Sequence, residues 1–282
     1  MTPQPPRPSL DGPRAKLRRA HHHLEGLYDD FNRTVGPQQH SLVREDGDEP
    51  RTHIFRAQNV PPLPPDWGLI VGDFAHNLRS ALDHLVWQLV LLSGSKPGRD
   101  NQFPICSAGT RYWCSKKDGT PSVRDRSLRG VAEQYRTPID AVQPYRRGQD
   151  TELAFLSGLA DLSNFDKHRV IQTAYSATHS ISEEAFDVIC PDDDAVVQIT
   201  STPGTRLEDG AEIARVRVLR PEDPETKVYV KANIPMAVGF GETRIPIDGL
   251  APLYVFVRDF IESYAPAFEA VRGQEGAPTS KG

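Results

Sequence analysis

The sequence predicts an α+β fold: a helical bundle with an antiparallel β-sheet inserted before the C-terminal helix. Three observations carry this. Apolar residues recur at spacings of three and four through much of the first 170 residues, alternate with polar residues between about 185 and 234, and return to the helical period from 250 to 268. A helix brings every third or fourth side chain to one face, whereas a strand turns successive side chains to opposite faces, so a change of period marks a change of element. At 282 residues, with 38% hydrophobic and 25% charged residues, the chain has the length and composition to bury a substantial core.

Residues 1 to 13 are proline-rich and are expected to be disordered, as is the tail from 271 to 282. One α+β domain is expected from 14 to 270, with the bundle built from 14 to 175 and 250 to 268 and the β segment from 185 to 248. In the first helix, 14 to 33, Leu17, Ala20, Leu24, Leu27, Tyr28 and Phe31 mark the buried face. Residues 41 to 45 and 52 to 58 flank the turn-forming run Asp46-Gly47-Asp48-Glu49-Pro50, a hairpin able to join the later sheet. The stiff stretch from Pro61 to Pro65 precedes Asp66, an N-cap residue that opens a long helix to about residue 93. Phe74, Leu78, Leu82, Leu85, Leu89 and Leu92 run down one side of that helix and require burial; Gly94 and Pro97 end it. Residues 95 to 122 have no period and read as a long loop. Helical pattern resumes at 125 to 142 and 151 to 165, strands follow at 195 to 200, 213 to 219 and 227 to 232, and the helix at 250 to 268 is expected to dock back on the bundle.

Composition narrows the function. A net charge of −5 argues against a broad cationic surface for nucleic acid but leaves room for a local one. Cys106, Cys114 and Cys190 form no CxxC pair, so they read as reduced thiols without a structural zinc site. The N-terminus lacks the cationic-then-apolar order of a signal peptide, and the apolar run from Leu85 to Leu92 is too short to cross a bilayer. A cytoplasmic protein without membrane attachment is expected. His21, His22 and His23 point about 100° apart on a helix and cannot chelate one ion well, so they read as a solvated run.

The long helix carries the most chemistry. Asp73, Asn77, Ser80 and His84 form one polar row, and His76, Arg79 and Asp83 form the next. Solvent-facing helices are usually rich in Lys and Glu; His, Arg, Asp and Asn instead suit proton transfer and phosphate or metal contact. The structural alternative is an Arg79–Asp83 pair at i,i+4 with histidines bridging helices. A second cluster, Asp166, Lys167, His168 and Arg169, ends the helix at 151 to 165. Its cations complement the helix dipole, or the cluster converges on the polar face.

The segments GDFAHNLRSALDH (72 to 84), QFPI (102 to 105), QPY (143 to 145) and LADLSNFDKHR (159 to 169) together resemble a widespread bacterial, largely actinobacterial, protein family without an established activity. This resemblance implies that the polar face and the DKHR cluster belong to one site. Arg79-Ser80-Ala81-Leu82-Asp83-His84 also resembles the R-x4-H motif of HEPN proteins, helical nucleases and nucleotide-binding modules of prokaryotic stress and defence systems. It implies a metal-independent endoribonuclease or nucleotide-binding protein without a cofactor. His84 would be the general acid or base, Arg79 the phosphate ligand and Asp83 an orienting group. His76, Asn77, Asp73, Asp166, Lys167, His168 and Arg169 would contact substrate. RNA or a nucleotide, a second copy of the chain and an antitoxin-like protein are the partners implied.

Two other classes stay open. One is non-catalytic binding of a ligand or partner by the polar face. The other is metal-assisted hydrolysis using His76, His84 and His168 with Asp73, Asp83 or Asp166, although no HExxH is present.

Overall fold

The computed structural model describes residues 7–34, 41–49, 51–60, 62–146, 152–166, 171, 173–177, 186–189, 196–201, 208–220, 229–232, 236–240 and 245–275. They form helices and antiparallel sheets, an α+β architecture. The described residues fall into two compact units, one drawn from residues 1–27, 69–171 and 248–282 and the other from 28–68 and 172–247.

The first unit is helical. It contains most of α1 (Asp11–Thr34) and α2 (Asp66–Leu92), followed by α3 (Gly109–Trp113), α4 (Val123–Ser127), α5 (Glu133–Ala141), a 3-10 turn (Pro144–Arg146), α6 (Glu152–Asp166), α7 (Ile247–Glu262) and α8 (Ala265–Glu275). The expected stripe of α2 is buried from Phe74 through Leu78, Leu82 and Leu85 to Leu89, as are Leu17, Ala20 and Leu24 of α1. Each such leucine contributes roughly 1.5–3 kcal/mol of burial free energy, which outweighs helix propensity as the reason these segments are helical. The C-terminal helix docks back as expected. Phe260 meets Phe103 edge-on at 5.5 Å between ring centres, Phe256 lies 5.9 Å from Phe155 of α6, and Glu262 receives two hydrogen bonds from Arg14 of α1.

Four boundaries differ from the expectation. The helix read at 125 to 142 is two short helices, because the turn between them passes through Gly130 at φ 81°, where a side chain would be strained. The loop read at 95 to 122 contains α3, whose single turn is too short to show a period. Leu10 is buried and α1 starts at Asp11, so residues 7–13 belong to ordered structure and only residues 1–6 lie outside the described residues. At the other end a break near Tyr264 separates α7 from α8, which reaches Glu275; residues 276–282 lie outside the described residues.

The second unit holds the strands. A four-stranded antiparallel sheet has the order β1-β2-β6-β5, from β1 (Ser41–Asp46), β2 (Thr52–Gln58), β5 (Val196–Ser201) and β6 (Glu212–Arg220). The hairpin therefore does join the later sheet, with His53 opposite Val216. Its turn closes through Gly47 N donating to Thr52 O at 2.7 Å, with Arg51 at φ 63°. On β6, Ile213, Ala214 and Val216 are buried while Arg215 and Arg217 are exposed. Two smaller sheets pair β3 (Thr173–Ala177), β8 (Met236–Phe240) and β9 (Ile245–Pro246), and β4 (Phe186–Ile189) with β7 (Tyr229–Ala232). Among the described residues no helix is long and apolar enough to cross a membrane.

Candidate functional site

A cleft of about 370 Å³ opens within the helical unit against the His76–Arg79–Asp83 row of α2. That row forms one wall together with Ser80. The QFPI loop and Cys106 form the second, Arg111 of α3 and Val123 and Arg126 of α4 the third, and Ala160, Ser163 and Asn164 of α6 the last.

Arg79 and Asp83 act first as a clamp. Arg79 Nη2 donates to Phe103 O at 2.6 Å, and Phe103 N donates to Asp83 Oδ1 at 2.8 Å. The two side chains also pair with each other at 3.2 Å, as their i,i+4 spacing permits. Both backbone groups of one loop residue are thus tied to consecutive turns of α2. The far end of the loop is held by Gln143, a fully buried amide. Its Oε1 accepts from Cys106 N at 3.1 Å, and its Nε2 donates to Pro104 O at 2.8 Å and Ile139 O at 3.1 Å. Tyr145 N donates to Cys106 O at 3.2 Å. The QFPI and QPY segments are therefore one packed assembly. Burial pushes the Cys106 thiol up from its ordinary pKa, against the pull of Arg111 and Arg79, which disfavours the thiolate.

The arginines of α3 and α4 divide by role. Arg124 is buried and spent on structure: its Nε and Nη2 reach the Asp140 carboxylate at 2.8 to 3.0 Å, it pairs with Glu133, and its guanidinium lies 5.1 Å from the centre of the Trp113 ring. Tyr112 Oη donates to the same carboxylate at 2.5 Å, and burial, aided by this bond, drives its pKa far up. This node fixes α3 and α4 on α5. Arg111 and Arg126, carried on those anchored helices, have no ion-pair partner among the described residues.

The structure brings together His76, Arg79 and Asp83. Asp166 sits nearby: a Cβ added at Gly72 would overlap its carboxylate, placing it against α2 one turn before His76 on the same side of the helix. Lys167, His168 and Arg169 lie outside the described residues. Asp73, Asn77 and His84 do not line the cleft. Asn77 is buried and donates to Asp73 O at 2.8 Å, while Asp73 influences His23 of α1. The His84 ring packs at Gly12 of α1, and its pKa is lowered by burial and then by Lys16. Five residues turn a helix through about 140° net, so Arg79 and His84 face different neighbours.

Arg111, Arg126, Ser163 and the Arg124 node go unnoticed in the sequence. Arg111 carries no signal beyond its place in an unusually long aperiodic stretch. Among the described residues no three His, Cys, Asp or Glu side chains converge.

Fold and cleft together define an α+β protein with an arginine-lined pocket in its helical part. In comparison with known proteins, no family model, curated protein or solved structure matches the chain.

Proposed function

We propose that the cleft binds the phosphate group of a nucleotide or of RNA. The observation that carries this reading is a charge imbalance: Arg79, Arg111 and Arg126 line a space whose one lining carboxylate among the described residues, Asp83, already engages Arg79 and Phe103 N through Oδ1. Guanidinium groups stay protonated and present several donors in a fixed plane, which suits the oxygens of a phosphate. Ser80, Ser163 and Asn164 add neutral hydrogen-bonding groups to the lining, and the volume falls in the usual range for small-ligand pockets.

Binding alone is the primary reading. A second reading, metal-independent cleavage of RNA in the manner of HEPN nucleases, is favoured by one observation: His76 shares the cleft with Arg79. In that version His76, not His84, is the general acid or base that moves the proton of a ribose 2′-hydroxyl. Calorimetric titration with ribose 5-phosphate tests the first reading. Wild type is expected to bind, and Arg111→Ala with Arg126→Ala to weaken binding at least tenfold without loss of fold; an unchanged affinity would refute it. Incubation with single-stranded RNA in EDTA tests the second: His76→Ala is expected to abolish cleavage and His84→Ala to leave it intact.

A further inference from the structure

We infer that Trp87 extends the cleft into a base-stacking subsite, so that the ligand is a nucleotide and not a bare phosphate or sugar phosphate. The inference rests on the phosphate reading given above.

Trp87 is 42% exposed although its neighbours Leu85, Val86, Leu89 and Val90 are all buried. The core of α2 is closed without it. Of the other exposed indole, Trp113, the face is covered by Arg124 at 5.1 Å; no ring or cation stacks on Trp87 among the described residues. A single exposed apolar side chain needs no explanation by itself. Position supplies one here. Trp87 follows Asp83 by four residues, one turn of helix, and by phase it falls between Ser80 and Asp83, on the face of α2 that lines the cleft. It stands about 6 Å beyond Asp83 and about 12 Å beyond Arg79 along the helix axis. Helical side chains lean toward the N-terminus, which inclines the indole of Trp87 toward the turn that carries Asp83.

A nucleotide lying along α2 therefore places its phosphate among Arg79, Arg111 and Arg126 and its base on the indole of Trp87. Asp83 stands between them: its Oδ1 is held by Phe103 N and Arg79, and its other oxygen is the acceptor for a ribose hydroxyl. Stacking on an exposed aromatic face accepts any base, so the subsite discriminates for the presence of a base and not for its identity.

Adenosine 5′-monophosphate and ribose 5-phosphate differ by the base alone and serve as the two probes in calorimetric titrations. Wild type is expected to bind the nucleotide roughly 5- to 150-fold more tightly, the range that one stacked base contributes. Trp87→Leu keeps the apolar bulk and the helix but lacks a π face, and is expected to erase that preference while leaving ribose 5-phosphate binding unchanged. Trp87→Phe is expected to retain most of the preference, yet to lose the quenching of tryptophan fluorescence that the nucleotide produces in wild type. Equal affinity of wild type for both probes, a preference that survives in Trp87→Leu, or quenching that persists in Trp87→Phe would overturn the inference and leave the phosphate reading standing. Failure of both probes to bind would overturn both.

Discussion

Burial holds the His84 imidazole below its ordinary pKa, with Lys16 adding to the shift and Asp83 opposing it. The unfolded chain takes up this proton near 6.5, the folded protein only at lower pH. Between the two values the unfolded state binds more protons, so stability falls as pH drops below about 6.5 and levels off once the folded protein is also protonated. His84→Gln is expected to make the decline in unfolding free energy, read from urea titrations between about pH 7 and 5, shallower by under about 1 kcal/mol because the ring is partly solvated. His23, lowered by the same cause, supplies a residual slope. An unaltered decline in His84→Gln would show that this ring is not one of the groups responsible. The same residue shows what a helix period reveals and what it withholds. It sorts the polar side chains of α2 into the His76–Arg79–Asp83 row and the Asp73–Asn77–Ser80–His84 row, but only tertiary packing decides that α1 stands before Asp73 and His84 while Ser80 joins the first row at the cleft.

At the scale of elements, the amphipathic helices and the alternating strands are legible because burial of one face leaves a period in the sequence. The loop from Gln102 to Cys106 leaves none. Its shape comes from α2 on one side and Gln143 on the other, residues about 20 and 40 positions away in the chain, and such non-local hydrogen bonds follow no local pattern. Gly130 divides α4 from α5 for a similar reason: a left-handed turn looks like a single tolerated glycine inside a helical stretch. The Arg124–Asp140–Tyr112 node is likewise invisible, since each member alone resembles an ordinary surface residue. The loop gives a prediction of its own. Gln143→Ala removes three hydrogen-bonded contacts in a fully buried site and is expected to cost about 2–4 kcal/mol. Urea unfolding reads the stability, and weaker ribose 5-phosphate binding by the folded variant reads the loosened wall. Unchanged stability would mean that Gln143 does not hold the loop.

For the molecule as a whole, the formal charge of −5 conceals the local arrangement. Arg79, Arg111 and Arg126 come from three helices separated by up to 47 positions in the chain and meet in one cleft of the helical unit. No composition or spacing rule connects them, which is why the polar row of α2 can be read from the sequence and the opposing arginines cannot. The central claim concerns where a phosphate sits. A crystal soaked in tungstate, a tetrahedral dianion with strong anomalous scattering, tests it directly. The account predicts an anomalous peak in the cleft within reach of Arg79, Arg111 and Arg126, lost in the variant lacking the last two; a cleft without a peak at full soaking, or a peak indifferent to those substitutions, would contradict it.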